Sequence, residues 1–236
     1  MSDHYEYPYP STELESRYPF YPYEHQRLPE EIMKQRASLF FEEMNQRRSI
    51  RMFSSDTVPT RLIELAVRTA STAPSGAHKQ PWTFIATQNS EIKRAIREAA
   101  EEEERKNYLE NRMNADWQEA IAPLGTDYHK EFLEIAPWLV VLFEQRYEIA
   151  SDGSHRKNYY VKESVGIAAG LFIASLHRMG LATLTHTPSP MKFLNQILER
   201  PVNERPFCLF PIGYPLDGIK VPDLQRKELD EILHVF

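Results

Sequence analysis

The chain has 236 residues, of which 42% are hydrophobic, and a formal net charge of −6 with a pI near 5.8. These values predict a folded core, and the acidic balance argues against a nucleic-acid-binding protein, which normally carries an excess of basic residues. The single cysteine, Cys208, excludes an internal disulfide and a cysteine-based zinc site. Because Cys208 lies in the apolar run "FCLFPIGY", we interpret it as a core residue of a protein from a reducing compartment.

The N-terminal segment, residues 1–27, differs from the rest because it is rich in tyrosine and proline. Proline disfavours helix, so we expect an extended arm rather than a separate domain. The first residues lack the basic and apolar regions of a signal peptide, and no window has the roughly 18 apolar residues of a membrane span. We therefore expect a soluble, cytoplasmic protein whose remaining residues, 28–236, form one domain.

Beyond the arm, the hydrophobic pattern alternates between helices and short strands. Ser90 is the expected N-cap of the long charged helix, Gly180 ends the helix that is rich in small residues, and the second strand is apolar enough to be central in a sheet. Helices are predicted over 29–48, 59–71, 90–113, 116–122, 158–180, 190–200 and 226–236, and strands over 82–87, 137–145, 181–187 and 206–214. This order predicts an α+β fold with a central mixed sheet and helices on both faces.

The common motifs of nucleotide, metal and hydrolase chemistry, GxGxxG, Walker A, HExxH and GxSxG, do not occur in the sequence. Any chemistry is therefore expected to depend on a bound cofactor. The first candidate site is "RRSIR", which contains Arg47, Arg48, Ser49 and Arg51. Clustered guanidiniums bind phosphate well, although a basic helix end favoured by the helix dipole is an alternative interpretation.

The second candidate is "TAPSGAHKQPWTF", residues 72–84. Gly76 can take a positive φ and expose neighbouring amides, so that Ser75 and the Ala77 N–H can donate to a ligand. A tight turn between a helix and a strand is the alternative. His78 is more simply interpreted as a structural histidine than as a catalyst.

The third candidate combines "EEEERKNY" with a later lysine. Glu104 and Tyr108 are four residues apart and therefore share one helix face, where they can bind an ammonium group. Lys130 can supply the opposite charge. A solvated acidic helix is the alternative interpretation.

Two further candidates lie nearer the C-terminus. Thr185 and Thr187 in "TLTHTPSP" lie at the end of a predicted strand, and loops beyond strand ends are common ligand sites. Arg226 lies in "VPDLQRKELD". The alternatives are the strand propensity of threonine and an ordinary surface arginine.

The order of these motifs resembles the nitroreductase-fold flavoproteins, and among them the iodotyrosine deiodinase family, over residues 30–236. "RRSxR" is typical of the wider superfamily, whereas "PSGAHxxPW" followed by "EEExxxNY" is more specific to the deiodinases. The animal enzymes carry an N-terminal membrane anchor that this sequence lacks, so it resembles a soluble form.

The resemblance implies FMN bound at the interface of an intertwined homodimer. By position, Arg47, Arg48, Ser49 and Arg51 bind the FMN phosphate, ribityl chain and ring edge, Arg226 joins them, and Ser75 contacts the flavin. Thr185, His186 and Thr187 match the family's "TTTP" segment, in which a threonine hydrogen-bonds flavin N5 and is the implied catalytic residue. The middle threonine of that segment is histidine in this chain.

For the substrate, the resemblance implies that Glu104, Tyr108 and Lys130 bind the zwitterion of a halogenated tyrosine, while the Ala77 amide holds its phenolate oxygen. The implied reaction is reductive dehalogenation with electrons ultimately from NAD(P)H, delivered directly or through a reductase. A general nitroreductase or quinone reductase is one alternative, and a flavoprotein that binds aromatic amino acids without turnover is another. Glu104, Tyr108 and Lys130 distinguish these hypotheses, because a general nitroreductase has no need of them.

Overall fold

A computed structural model describes residues 10–110 and 113–236. It divides into two compact units, one ending at Glu42 and one running from Glu43 to Phe236. The predicted boundary between the arm and the domain, at residue 27, stays a prediction.

The first unit contains a short helix that the sequence analysis missed. Helix α1 (Thr12–Arg17) replaces the predicted extended conformation over these residues. The Ser11 side chain caps it by accepting a hydrogen bond from the Leu14 amide, and Glu13 pairs with Arg17 at 2.6 Å. The first nine residues of the predicted arm lie outside the described residues. Helix α2 (Glu30–Asn45) begins in this unit.

The second unit holds most of the secondary structure. Its helices are α3 (Thr60–Ala70), α4 (Ser90–Leu109), α5 (Ala115–Ile121), α6 (Phe132–Ile135), α7 (Val161–Arg178), α8 (Phe193–Ile197) and α9 (Leu229–Ile232), with short 3₁₀ turns at Gly76–His78 and Ala122–Leu124. Its strands are β1 (Trp82–Thr87), β2 (Trp138–Gln145), β3 (Tyr147–Ile149), β4 (His155–Lys157), β5 (Ala182–Thr183) and β6 (Glu204–Gly213).

The main sheet has the strand order β1-β2-β6-β5, so the predicted central position of β2 is confirmed. Its strand pairs are antiparallel, and an isolated parallel bridge between Ser49 and Thr183 makes the sheet mixed. This bridge attaches the "RRSIR" segment to β5. Strands β3 and β4 form a separate hairpin.

Alternate residues of β2 face opposite layers of helices, as the period of two in a strand requires. Val140 and Leu142 pack in the cluster that α3 and α7 cover, whereas Val141 and Phe143 pack in the cluster that α4, α6 and α8 cover. The predicted α+β fold with helices on both faces is therefore confirmed. Cys208 belongs to the first cluster and is buried, and burial raises the pKa of its thiol to about 12.

The structure corrects several local predictions. Asn89, rather than Ser90, caps α4, because its side chain accepts hydrogen bonds from the Glu91 and Ile92 amides. The predicted strand over 181–187 is regular only at β5 and then continues as a single bridge between His186 and Leu209. The hairpin β3–β4 and helix α6 were not predicted. Residues 111 and 112 of the predicted long helix lie outside the described residues.

Within the described part of the chain, no helix is long and apolar enough to cross a membrane.

Candidate functional site

One cluster of polar side chains combines Glu104 and Tyr108 of α4 with Lys130, which lies just before α6. The Glu104 Oε2 and Lys130 Nζ atoms are 4.0 Å apart, and both side chains are largely buried. The Tyr108 hydroxyl donates to the Thr126 carbonyl at 3.2 Å, and Lys130 Nζ donates to the Thr126 hydroxyl at 3.2 Å and to the Asp127 carbonyl. The three predicted residues are therefore together, and we call them the clamp.

Burial shapes the electrostatics of the clamp. It raises the pKa of Glu104, while the nearby Lys130 charge opposes that shift. It also lowers the pKa of Lys130, against the field of Glu104. Each charge is thus partly desolvated and depends on an opposite charge at close range. A ligand that carries both an ammonium and a carboxylate supplies one counter-charge to each.

Arg51 and His186 belong to the same neighbourhood. The Arg51 charge acts on Tyr108, Lys130 and His186, and burial lowers the pKa of Arg51 itself. The imidazole of His186 is buried against the edge of Phe132, with a centroid distance of 5.9 Å. Its Nε2 atom has no hydrogen-bond partner among the described residues. Burial, reinforced by the Lys130 and Arg51 charges, lowers the pKa of His186 to about 3, so its ring is neutral near pH 7.

The two threonines beside His186 lie on the opposite side of this extended segment, which faces solvent, because successive side chains of an extended chain alternate. Thr185 and Thr187 are exposed, and Thr187 lines a surface cavity of about 870 Å³. This segment is tied to α4, because the buried Asn107 amide donates to the Ser189 carbonyl at 3.1 Å. This hydrogen bond connects the two groups, because Asn107 is next to Tyr108 of the clamp and Ser189 lies two residues after Thr187.

A second cluster of charged side chains contains Arg47, Arg48 and Arg226. Arg226 donates to the Asn45 side chain at 2.8 Å and to the Arg47 carbonyl at 3.3 Å, and Arg48 donates to the Asn45 carbonyl at 2.7 Å. Burial and then the Arg226 and Arg48 charges lower the pKa of Arg47. Among the described residues, no carboxylate lies within ion-pair distance of these arginines.

Mutually repelling guanidiniums without acidic partners fit a site for an anion, and a phosphate suits their planar geometry. Ser49, bridged to β5, is exposed beside them and can add a hydroxyl donor. The residues present therefore fit the phosphate end of a flavin nucleotide.

The segment after α3 differs from its prediction in one respect. Positive φ values occur at Ala77 (49°), His78 (53°) and Gln80 (47°), and not at Gly76. Glycine is needed at position 76 for space instead, because a Cβ there would lie 2.6 Å from the Tyr159 carbonyl oxygen. The positive φ that glycine permits is therefore not used at Gly76, and close backbone approach explains this glycine.

Among the backbone amides of residues 76–80, four donate to acceptors within the described residues, and the Ala77 amide is the exception. The Gly76 amide donates to Ser164 Oγ, and the His78 amide donates to the Ser75 carbonyl. The Lys79 amide donates to the Gly76 carbonyl, and the Gln80 amide donates to Ser75 Oγ. The exposed Ala77 amide has no acceptor among the described residues. It is therefore available to a ligand oxygen. Within the described residues, the His78 side chain makes a local contact: its Nε2 atom lies 3.2 Å from the side-chain Nε2 atom of Gln80.

Nothing in the described chain joins Ser75 or Ala77 to the clamp by a hydrogen bond or an ion pair. The sequence analysis also missed Asn107 and Glu101, which fix parts of the site. Asn107 is a buried polar residue on a highly charged helix, a signal that could have marked it. Glu101 belongs to a run of four glutamates, in which the sequence cannot distinguish it.

Comparisons with known proteins identify the family. Residues 44–214 match the model of the Nitroreductase family. The chain is 52% identical over 217 residues to an iodotyrosine deiodinase of Haliscomenobacter hydrossis, covering 92% of this chain and 97% of that protein. It is 43% identical over 215 residues to iodotyrosine deiodinase 1 of Mus musculus, covering 90% of this chain and 74% of that protein.

Among solved structures, the fold is similar to oxidized iodotyrosine deiodinase bound to FMN and 3-iodo-L-tyrosine. The TM-score is 0.72 at 26% identity, with 84% of this chain and all of that chain covered. The chain therefore belongs to the nitroreductase family and, within it, to the iodotyrosine deiodinases.

The first prediction concerns Gly76. The Gly76→Ala substitution should lower the free energy of unfolding by about 1–3 kcal/mol, because the new Cβ forces the backbone away from Tyr159. Urea unfolding measures the change. Lys79→Ala, which removes only a partly exposed ion pair with Glu148, is the control and should cost less than about 1 kcal/mol. Equal stability of Gly76→Ala and wild type would refute the steric explanation.

The second prediction concerns the pH dependence of stability. Between about pH 6.5 and pH 3, unfolded His186 binds a proton that the folded protein excludes, so the free energy of unfolding falls as pH falls. The His186 contribution to this slope is at most about 1.4 kcal/mol per pH unit. Urea unfolding of His186→Thr across this range should show a shallower slope than wild type. His234→Thr, at an exposed histidine, should keep the wild-type slope. Parallel profiles for wild type and His186→Thr would contradict the prediction.

Proposed function

We propose that this protein uses FMN to dehalogenate halogenated tyrosines reductively, with electrons that come ultimately from NAD(P)H. The observation that carries the proposal is the clamp, a buried Glu104–Lys130 pair at 4.0 Å with Tyr108 beside it. A general nitroreductase or quinone reductase acts on flat aromatics and has no use for such a pair. Relatives named as iodotyrosine deiodinases, at 43% and 52% identity, support the same substrate class.

In this proposal, the clamp recognises the amino-acid end of the substrate. Glu104 receives the ammonium group and Lys130 receives the carboxylate, so each buried charge gains a second counter-charge. The Tyr108 hydroxyl adds a hydrogen bond. The unpaired Ala77 amide donates to the phenolate oxygen at the other end. The substrate is thus held at both ends, which orients its carbon–halogen bond.

The cofactor residues follow from the cation cluster and the exposed threonines. The phosphate and the ribityl chain of FMN would be held by Arg47, Arg48, Ser49 and Arg226. Arg51 would contact the edge of the flavin ring. Ser75 would contact the flavin. The Thr187 hydroxyl would donate to flavin N5, as a catalytic residue, with Thr185 and His186 as neighbours in cofactor binding.

The reaction replaces a carbon–iodine bond by a carbon–hydrogen bond, which consumes two electrons and one proton and releases iodide. FMN supplies the electron-transfer chemistry when it is bound. The protein contributes position: the clamp holds the amino-acid end of the substrate and the Ala77 amide holds the phenol.

We propose that the active protein is a homodimer whose site takes residues from both subunits. In one chain, Ser75 and Ala77 make no hydrogen bond or ion pair with the clamp within the described residues, although the proposal needs both at one substrate. Helix α2 buries none of its residues, and Leu39 and Phe41 on it are 58% and 65% exposed. Exposed apolar helix surface of this kind is typical of an interface. The cytoplasmic location expected from the sequence stays a prediction.

The third prediction tests the substrate class. The FMN-loaded protein, reduced anaerobically, should convert 3-iodotyrosine to tyrosine and iodide, measured by chromatography. Flavin fluorescence should show that 3-iodotyrosine binds far more tightly than 2-iodophenol, because only the former has the charges that fit the clamp. Glu104→Gln and Lys130→Met should each reduce this preference at least about tenfold.

Three results of this experiment would contradict the proposal. Equal binding of 3-iodotyrosine and 2-iodophenol would remove the role of the clamp. Turnover of quinones or nitroaromatics with none of 3-iodotyrosine would favour the general reductase, and tight binding of 3-iodotyrosine without products would favour a binding protein.

The fourth prediction tests the phosphate site. Arg226→Ala should weaken FMN binding about 10- to 100-fold, because it removes a charged donor from the arginine cluster. Riboflavin, which lacks the phosphate, should bind wild type and Arg226→Ala equally. Arg61→Ala, at an exposed arginine paired with Glu64, is the matched control. An equal loss for FMN and riboflavin would show that Arg226 does not contact the phosphate.

A further inference from the structure

One face of α4 carries a stripe of polar residues that contacts the segment 126–136 from end to end. The stripe consists of Lys93, Arg97, Glu101, Glu104 and Tyr108. These residues are four, four, three and four positions apart, so their side chains share one face of the helix. Its contacts follow the segment in reverse order, so that the helix and the segment run antiparallel.

The first two residues of the stripe hold the end of α6. Lys93 Nζ donates to the carbonyls of Glu134 and Ala136, both at 2.8 Å, and so satisfies the last turn of this helix. Arg97 Nε lies 2.9 Å from Glu134 Oε2. These contacts fix the segment on the side of Lys130 that leads into β2.

Glu101 is the central residue of the stripe. Its Oε1 atom accepts a hydrogen bond from the backbone amide of Lys130 at 2.7 Å, a short distance that is typical of a charged acceptor. Its Oε2 atom lies 3.5 Å from Arg97 Nη1. The carboxylate therefore joins α4 to the backbone of the residue whose side chain completes the clamp.

The position of this contact matters because Glu101 and Glu104 are one helical turn apart. The same turn of α4 thus holds Lys130 twice, once by its backbone amide and once by its side-chain ammonium. The distance between the anion and the cation of the clamp is then set by the rigid helix and not by the loop alone. An amino-acid zwitterion, with its charges at a fixed separation, needs such a fixed distance.

We propose that Glu101 is a positioning residue for recognition of the amino-acid carboxylate, acting through the backbone of Lys130. This inference rests on the proposed function, in which Lys130 binds that carboxylate. Glu101 itself touches neither the substrate nor the cofactor. Its contribution is confined to ligands that carry a carboxylate, and ligands without one bind independently of it.

The test compares two ligands that differ only in the carboxylate. The FMN-loaded wild type, Glu101→Ala and Glu101→Gln are titrated with 3-iodotyrosine and with 3-iodotyramine, and binding is followed by flavin fluorescence. Wild type should prefer 3-iodotyrosine. Glu101→Ala should weaken 3-iodotyrosine binding about 10- to 100-fold and leave 3-iodotyramine unchanged. Glu101→Gln keeps an acceptor oxygen and should recover binding to within about tenfold of wild type.

The adjacent Glu102 provides the matched control, because it lies on the exposed side of α4 and pairs with Arg105 at 3.1 Å. Glu102→Ala should keep the wild-type preference. An unchanged preference in Glu101→Ala, or an equal loss of both ligands, would overturn the positioning role and leave the proposed function standing. A wild type that binds both ligands equally would overturn the proposed function together with this inference.

Discussion

The fold depends on the antiparallel pairing of β2 with β6, which places two apolar strands in the middle of the sheet with helices on both sides. Both faces of β2 are buried, so a shift of its register by one residue would exchange the two helix layers. This constraint fixes where the strands end. Lys130 and α6 precede β2, and the segment of Thr187 follows β5, so the polar groups of the site are carried by a rigid core.

The site itself is a collection of charges that the isolated chain does not fully balance. Arg47, Arg48 and Arg226 repel one another, and burial disfavours the charges of Glu104 and Lys130. Unpaired or partly desolvated charges reduce the stability of a fold, so they are retained where a ligand completes them. In the proposed function, the arginine group holds the phosphate of the cofactor and the clamp holds the zwitterion of the substrate, so the two groups are the two ends of one site.

The sequence predicted the main strands, the long helices and the fold class, because these follow from apolar periodicity. It also identified the clamp residues, since the spacing of Glu104 and Tyr108 on α4 and the resemblance of all three to a family indicated the same site. It could not predict why Gly76 is needed, because the reason is the Tyr159 carbonyl, which is distant in sequence. Glu101 was hidden for a similar reason: its partner is a backbone amide 29 residues away, and backbone partners leave no pattern in the sequence.

The proposed ligand contact at the Ala77 amide has a consequence for how the site would tolerate mutation. A contact made by a backbone N–H uses no side-chain atom, so a substitution at Ala77 acts on it only through the backbone: proline removes the N–H, and a β-branched residue is strained at the φ of 49°. Genetic variation at Ala77 itself is therefore a poor route to changing the contact. The sensitive positions are those that shape the backbone around it, Gly76 and the Ser164 hydroxyl that accepts the Gly76 amide. A screen for altered recognition of the phenol end would accordingly find its variants beside the contact and not at it.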